Sequence, residues 1–138
     1  MDTSNSYLAV GLFQDNMCLE AFQEKGSRRQ SEKAIPTLKE VLDRHHIALK
    51  DVNEMIITSG PGSYTGVRVA MTIAKTLAAV SDVRIKSVSS LAAYAGMNQA
   101  LSVIDARGHK VFVGVYENGL PLIKEQVVAL EDFAQLRA

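Results

Sequence analysis

One cysteine, three histidines, no net charge and no long apolar run remove whole classes of function before any motif is considered. The lone thiol, Cys18, has no partner for an internal disulfide, and its alternating apolar surroundings suit a small core side chain better than a nucleophile. That usage fits a reducing compartment. Fifteen Lys and Arg balance fifteen Asp and Glu, which leaves no electrostatic footprint for nucleic acid or for an anionic membrane. No apolar stretch approaches the ~18 residues of a membrane span. Met1 to Ser6 lacks the basic and apolar regions of a secretory signal, so a cytoplasmic location and no membrane partner are expected. His45, His46 and His109 contain no pair at i, i+4, the spacing that sets two imidazoles on one helical face around a metal. No metal site is expected. His45-His46 instead closes a predicted helix, where its rings face the C-terminal carbonyls.

What is present is a chain of 138 residues, 47% hydrophobic, enough for one solid core or for a domain plus part of another. It is organised around Gly60-Pro61-Gly62-Ser63-Tyr64-Thr65-Gly66-Val67-Arg68. The apolar run Met55 to Ile57 feeds this stretch as a buried strand, and Val69 to Ala78 leaves it as a helix. Pro61 presets φ for the second position of a turn, and Gly62 offers the positive φ of a type II turn at the third. Ser63 or Thr65 then caps the helix. A helix N-terminus of this kind is suited to anions, yet Val67 and Arg68 stand where a phosphate loop needs Lys and Ser or Thr. Ser63 and Thr65 have no neighbouring His to activate them, which argues against nucleophilic catalysis.

At about 100° per residue, the helix to Val80 carries an apolar arc of roughly 200°, twice what packing on one sheet requires. Either a second layer of the same chain covers the excess or another subunit does, and the short chain favours the subunit. Val69, Ile73, Leu77 and Val80 are the expected partner-facing residues, joined by Leu38 and Leu42 of an earlier helix, while Val67, Ala70 and Ala74 are expected in the core. Burying a side chain such as Ile73 or Leu77 at a partner is worth about 1.5–3 kcal/mol.

In chain order, Tyr7 to Phe13 and Met17 to Phe22 read as strands around the turn Gln14-Asp15-Asn16. A polar link over 23–30 follows. Ser31 then opens a helix with Ala34, Ile35, Leu38, Val41 and Leu42 on one face and a kink at Pro36. Beyond the central helix come a strand from Arg84 to Val88, a helix capped by Ser89 or Ser90 and ending near Gly96, and a strand from Leu101 to Ile104. Lys110 to Tyr116 and Leu122 to Val128 form a second hairpin, and a helix begins at Leu130 and runs towards Ala138.

Sliding the chain by about 103 positions superposes Asp2 on Asp105, Val10 on Val113, Gly11 on Gly114, Phe13 on Tyr116 and Asp15-Asn16 on Asn118-Gly119. The pattern predicts a duplicated unit of acidic loop followed by hairpin, with domains at 1–98 and 99–138. Asp2-Thr3-Ser4 and Asp105 with Arg107 fit two readings. They are turn caps, or they are paired carboxylates flanking a nucleotide and magnesium, with Arg107 and Lys110 beside Asp105 to neutralise it.

These residues together resemble a known family. Gly60 to Arg68 with its helix, Asp2-Thr3-Ser4, Ser31-Glu32 with Pro36, Ser89-Ser90-Leu91 and Asp105-Ala106-Arg107 are similar, in that order, to the landmarks of the TsaB (YeaZ) family. Those are bacterial tRNA threonylcarbamoyladenosine biosynthesis proteins, non-peptidase members of the group once labelled glycoprotease. The resemblance implies an α/β, actin-like ATPase (ribonuclease H-like) fold with a mixed sheet and an incomplete second domain. It implies a non-catalytic scaffold that binds the catalytic homologue TsaD and, through the complex, the ATPase TsaE, in modifying adenosine 37 of tRNA. It also implies that the first two helices meet the partner, or a second copy when the chain is alone. The tRNA is touched only indirectly. No cofactor belongs to the isolated chain, and ATP and magnesium belong to the assembled complex. The family's opening strand and much of its second domain have no counterpart here, so the sequence is expected to be a piece at its start, its end or both; Gln30 replaces a common His. The rival expectation, resting on the acidic loops, is an actin-fold nucleotide-binding enzyme, kinase-like or a peptidase.

Overall fold

Three tight reversals set the layout of the hairpins. Asp15 and Asn16 take φ of 50° and 65°, Gly108 and His109 both take 57°, and Asn118 and Gly119 take 53° and 77°, the left-handed pair whose twist matches that of the strands they join. A computed structural model describes residues 1–26 and 30–136, so the link expected over 23–30 falls partly outside the described residues. The chain divides into two compact units, Met1–Ser59 with Ser63–Val88, and Gly60–Gly62 with Ser89–Ala138.

In the first unit, β1 (Tyr7–Gln14) pairs antiparallel with β2 (Met17–Lys25), with an irregularity between Leu12 and Phe13. Then come α1 (Gln30–Arg44), β3 (Glu54–Thr58), α2 (Tyr64–Val80) and β4 (Arg84–Val88), with β3 and β4 parallel. A short 3-10 turn at Leu49–Asp51, absent from the sequence expectation, precedes β3. Met1 and Asp2 tie the strands together. Asp2 exchanges backbone hydrogen bonds with Ala9 of β1 at 2.9 Å, while the Met1 ammonium donates to the Ile56 carbonyl of β3 at 2.7 Å. Alternation along β1 and β3 turns Leu8, Val10, Met55 and Ile57 inward against Ala34, Val41, Ala70, Ile73 and Ala74 of the helices. Helix α1 begins before Ser31 and runs through Pro36 as one element.

Burial corrects two of the residues expected to face a partner. Ile73 is 8% exposed and Leu42 of α1 is 7% exposed, both inside the unit's own core. Helix α2 packs on β3 and β4 along one side and on α1 along the other. Two layers of the same chain therefore account for the width of its apolar arc. Leu38, Val69 and Leu77 are half-buried against that core, and Val80 is exposed.

In the second unit, α3 (Ser90–Ala95) is followed by β5 (Ala100–Arg107), β6 (Lys110–Glu117), β7 (Leu120–Ala129) and α4 (Leu130–Leu136). The three strands form an antiparallel sheet in the order β5-β6-β7. Ser89 Oγ caps α3 by accepting from Leu91 N at 3.2 Å, and Gly96 ends it at φ 61°. Because α3 packs on β5 and β6, the units part between Val88 and Ser89 rather than near residue 98. The core here is Leu91, Ala95, Ile104 and Tyr116. The Tyr116 hydroxyl donates to Glu125, and burial together with that carboxylate pushes the phenol up to about 12.

The expected repeat is visible in the backbone. At the same offset β1 falls on β6 and β2 on β7, and the irregularity at Leu12 and Phe13 falls on one at Val115 and Tyr116. Each hairpin also has a glycine two residues before its aromatic side chain. A Cβ at Gly11 or Gly114 would stand 2.7 Å from the ring of Phe13 or Tyr116. Both rings fold back over the glycine, Phe13 largely in solvent and Tyr116 in the core.

Candidate functional site

Asp2 sits at the mouth of the first unit's strands, with its carboxylate committed to the chain itself. Oδ1 accepts from Ser4 N at 2.8 Å, Ser4 Oγ at 2.6 Å and Thr58 Oγ1 at 2.6 Å. The first of these is an Asx-turn bond. It points Thr3 and Ser4, both fully buried, at the start of α2. There Thr3 Oγ1 donates to the Gly66 carbonyl at 2.6 Å, and Ser63 N donates to the Ser4 carbonyl at 2.7 Å. The two backbones touch. A Cβ on Gly66 would lie 2.2 Å from the Thr3 carbonyl oxygen, so the signature requires glycine at this position for contact, not for conformation.

Ser63 is the cap, accepting from Gly66 N at 3.3 Å, while Thr65 lies inside the first turn. The type II expectation for Pro61 and Gly62 is corrected. The Gly60–Pro61 peptide is cis, and Gly60 rather than Gly62 takes the positive φ, 97°. The Gly60 carbonyl accepts from Ser90 N at 2.8 Å within the second unit.

Asp105 repeats the work of Asp2, its Oδ1 accepting from Arg107 N at 2.7 Å. Both aspartates thus have turn-cap geometry. Among the described residues neither Arg107 nor Lys110 forms an ion pair with Asp105. His45 does not turn to the helix carbonyls. Its Nε2 lies 3.5 Å from Glu20 on β2, whose carboxylate is gripped by Arg44 at 2.9 and 2.7 Å. The Arg44 hydrogen bonds hold the Glu20 carboxyl below its ordinary value. Among the described residues no three His, Cys, Asp or Glu side chains gather as metal ligands, and no helix is long and apolar enough to cross a membrane. Cys18 is exposed on β2, not buried as its pattern suggested; that stretch of β2 faces solvent on both sides.

Beside the signature turn, α1 and α2 enclose a groove of about 390 Å³, lined by Ser31, Ile35, Tyr64, Arg68, Val69 and Ile73 among others. Ile35 is 59% and Tyr64 75% exposed on its rim. The Arg68 guanidinium lies 5.2 Å from the Tyr64 ring centroid, and its Nη1 donates to the Tyr64 hydroxyl at 3.2 Å. Sequence reasoning placed Ile35 on the apolar face of α1 with Leu38 and Leu42 but did not name it at the interface. The signal was there, since Ile35 stands about 120° round the helix from the buried Val41.

The family model described as "TsaD: tRNA N6-adenosine threonylcarbamoyltransferase" matches residues 23–138. The chain is 32% identical, over 99% of its own length, to a Bacillus subtilis (strain 168) protein described as "tRNA threonylcarbamoyladenosine biosynthesis protein TsaB", and covers 63% of that relative. The Escherichia coli (strain K12) protein of the same description is 31% identical over 87% of this chain and 56% of its own. The solved structure described as YeaZ from Pseudomonas aeruginosa superposes with a TM-score of 0.85 at 29% identity, over 93% of this chain and 65% of that one. The chain therefore spans less than two thirds of the length of each of these relatives.

Proposed function

Because the chain belongs to the TsaD family, described as tRNA N6-adenosine threonylcarbamoyltransferase, we propose that it serves tRNA threonylcarbamoyladenosine biosynthesis as a non-catalytic scaffold for the family's catalytic homologue. The carrying observation is the match to TsaB proteins over 99% of the chain. Three features support the scaffold role. Asp2 and Asp105 hold backbone turns rather than standing free for a nucleotide. The zero formal charge suits a subunit that meets tRNA only through its partner. The α1–α2 groove offers exposed Ile35 and Tyr64 beside half-buried Leu38, Val69 and Leu77, with exposed Val80 further along α2. This face is the proposed contact with the catalytic homologue TsaD, and with a second copy when the chain is alone. Ile73 and Leu42 lie beneath it and shape it. The ATPase TsaE joins through the complex, ATP and magnesium act there, and the setting is the cytoplasm. The paired hairpins at one offset support an actin-like, ribonuclease H-like fold with a second domain begun in the second unit.

The test is co-purification of the chain with a catalytic homologue, followed by light scattering. A defined complex is expected, weakened by Ile35→Asp, with no ATP turnover by the chain alone. Absence of any complex at micromolar concentrations, or turnover lost in Asp2→Ala, overturns the scaffold reading.

A further inference from the structure

The β6–β7 hairpin carries a bulge with two charges in it. Val113 pairs with Gln126 and Val115 with Ile123, so Gly114 alone stands opposite both Lys124 and Glu125. The extra residue breaks the alternation that sends successive side chains of a strand to opposite faces. Lys124 and Glu125 therefore line one open pocket, of about 630 Å³, together with Ala92 of α3, Tyr116, Gly119 and Pro121. Gly114 makes room for the phenol beside the bulge, since a Cβ there would stand 2.9 Å from the Tyr116 hydroxyl. That hydroxyl belongs to a side chain only 2% exposed and donates to Glu125 Oε1. The carboxylate is thus held in place, and its Oε2 has no partner among the described residues. Lys124 is exposed and forms no ion pair among the described residues. The first hairpin folds Phe13 over Gly11 in the same way without a hydroxyl, so the fold-back does not require the bond from Tyr116 to Glu125.

We propose that this pocket binds a small zwitterion, an α-amino acid with an apolar side chain. Lys124 receives its carboxylate, Glu125 Oε2 receives its ammonium, and its side chain lies against Ala92 and Pro121. A molecule that carries both charges meets both walls at once, whereas a molecule with one charge leaves Lys124 or Glu125 unmatched. The pocket has the size and the mixed apolar and polar lining that suit a small ligand. Both charged contacts are open to water, which places the affinity in the millimolar range. None of these residues belongs to the face proposed to meet the catalytic homologue, so the site stands independently of the scaffold role.

The probe is L-leucine, added to the full chain labelled with nitrogen-15 and followed through the amides of Gly114, Lys124 and Glu125, with folding checked by circular dichroism. A saturable shift of these amides is expected. Lys124→Ala and Glu125→Gln should each raise the dissociation constant about fivefold or more. L-leucinamide, which lacks the carboxylate, and 4-methylpentanoate, which lacks the ammonium, should bind the unaltered chain weaker than leucine by a similar factor. No saturable shift up to about 50 mM leucine overturns the proposal. So does binding as tight by either analogue, which would make the pocket an apolar hollow without use for its charges. Unchanged binding in either folded variant overturns it as well.

Discussion

Gly66 shows how one missing side chain fixes a site. Its Cα lies against the Thr3 carbonyl, and a Cβ at 2.2 Å meets backbone that is itself held by Asp2 and Ser63. Gly66→Ala should therefore destabilise the chain by about 2 kcal/mol or more, read as a lower denaturant midpoint with unchanged slope. An unaltered midpoint would show that the Asp2-Thr3-Ser4 turn moves freely. Tyr116 offers a pH test. Its phenol is raised to about 12 in the folded chain against about 10 when unfolded, so the unfolded state ionises first as pH rises. Its contribution to stability is complete below about 10 and is lost as pH climbs towards 12. Alkaline unfolding should be shallower in Tyr116→Phe, and equal pH profiles for the two proteins would refute the shift. At this scale the sequence displayed the turn chemistry of Asp15-Asn16, the Ser63 and Ser89 caps and the likeness of Asp2 to Asp105. It did not display the backbone contact at Gly66, because that contact depends on segments brought together from far apart in the chain.

Helix α2 carries the main lesson of the elements. The helix starts at Tyr64, earlier than the Val69 expected, but its arc and its end at Val80 were legible, since periodicity is local. What covers the arc was not, because β3, β4 and α1 each take a share and no periodicity names the neighbour. Consequently Ile73→Glu is a core lesion. It should cost on the order of 3–5 kcal/mol of folding stability by leaving a charge buried without a partner. Val80→Glu at the 74% exposed end of the same helix should change stability by about 0.5 kcal/mol or less. Thermal melts of the two variants check the pair. Equal losses would mean that α2 is turned differently from the arrangement described.

For the molecule as a whole, the repeat was readable because turn residues and glycines recur at a fixed offset, while the division at Val88 was hidden in the packing of α3. The tie between the first residues and α2 has a consequence in time. Thr3 reaches Gly66 across 63 positions of chain, and Thr58 reaches Asp2 across 56. The strands of the second unit meet through adjacent hairpins. Closing a long loop must precede the reward of its contacts, so structures built on distant partners form later. During refolding, the amides of β6 should gain protection from exchange before that of Ala9, which must wait for Asp2. Pulse-labelled hydrogen exchange resolves that sequence, and earlier protection at Ala9 would refute it. The signature turn is thus the last part of its unit to be fastened, and a chain interrupted before α2 would leave its own beginning loose.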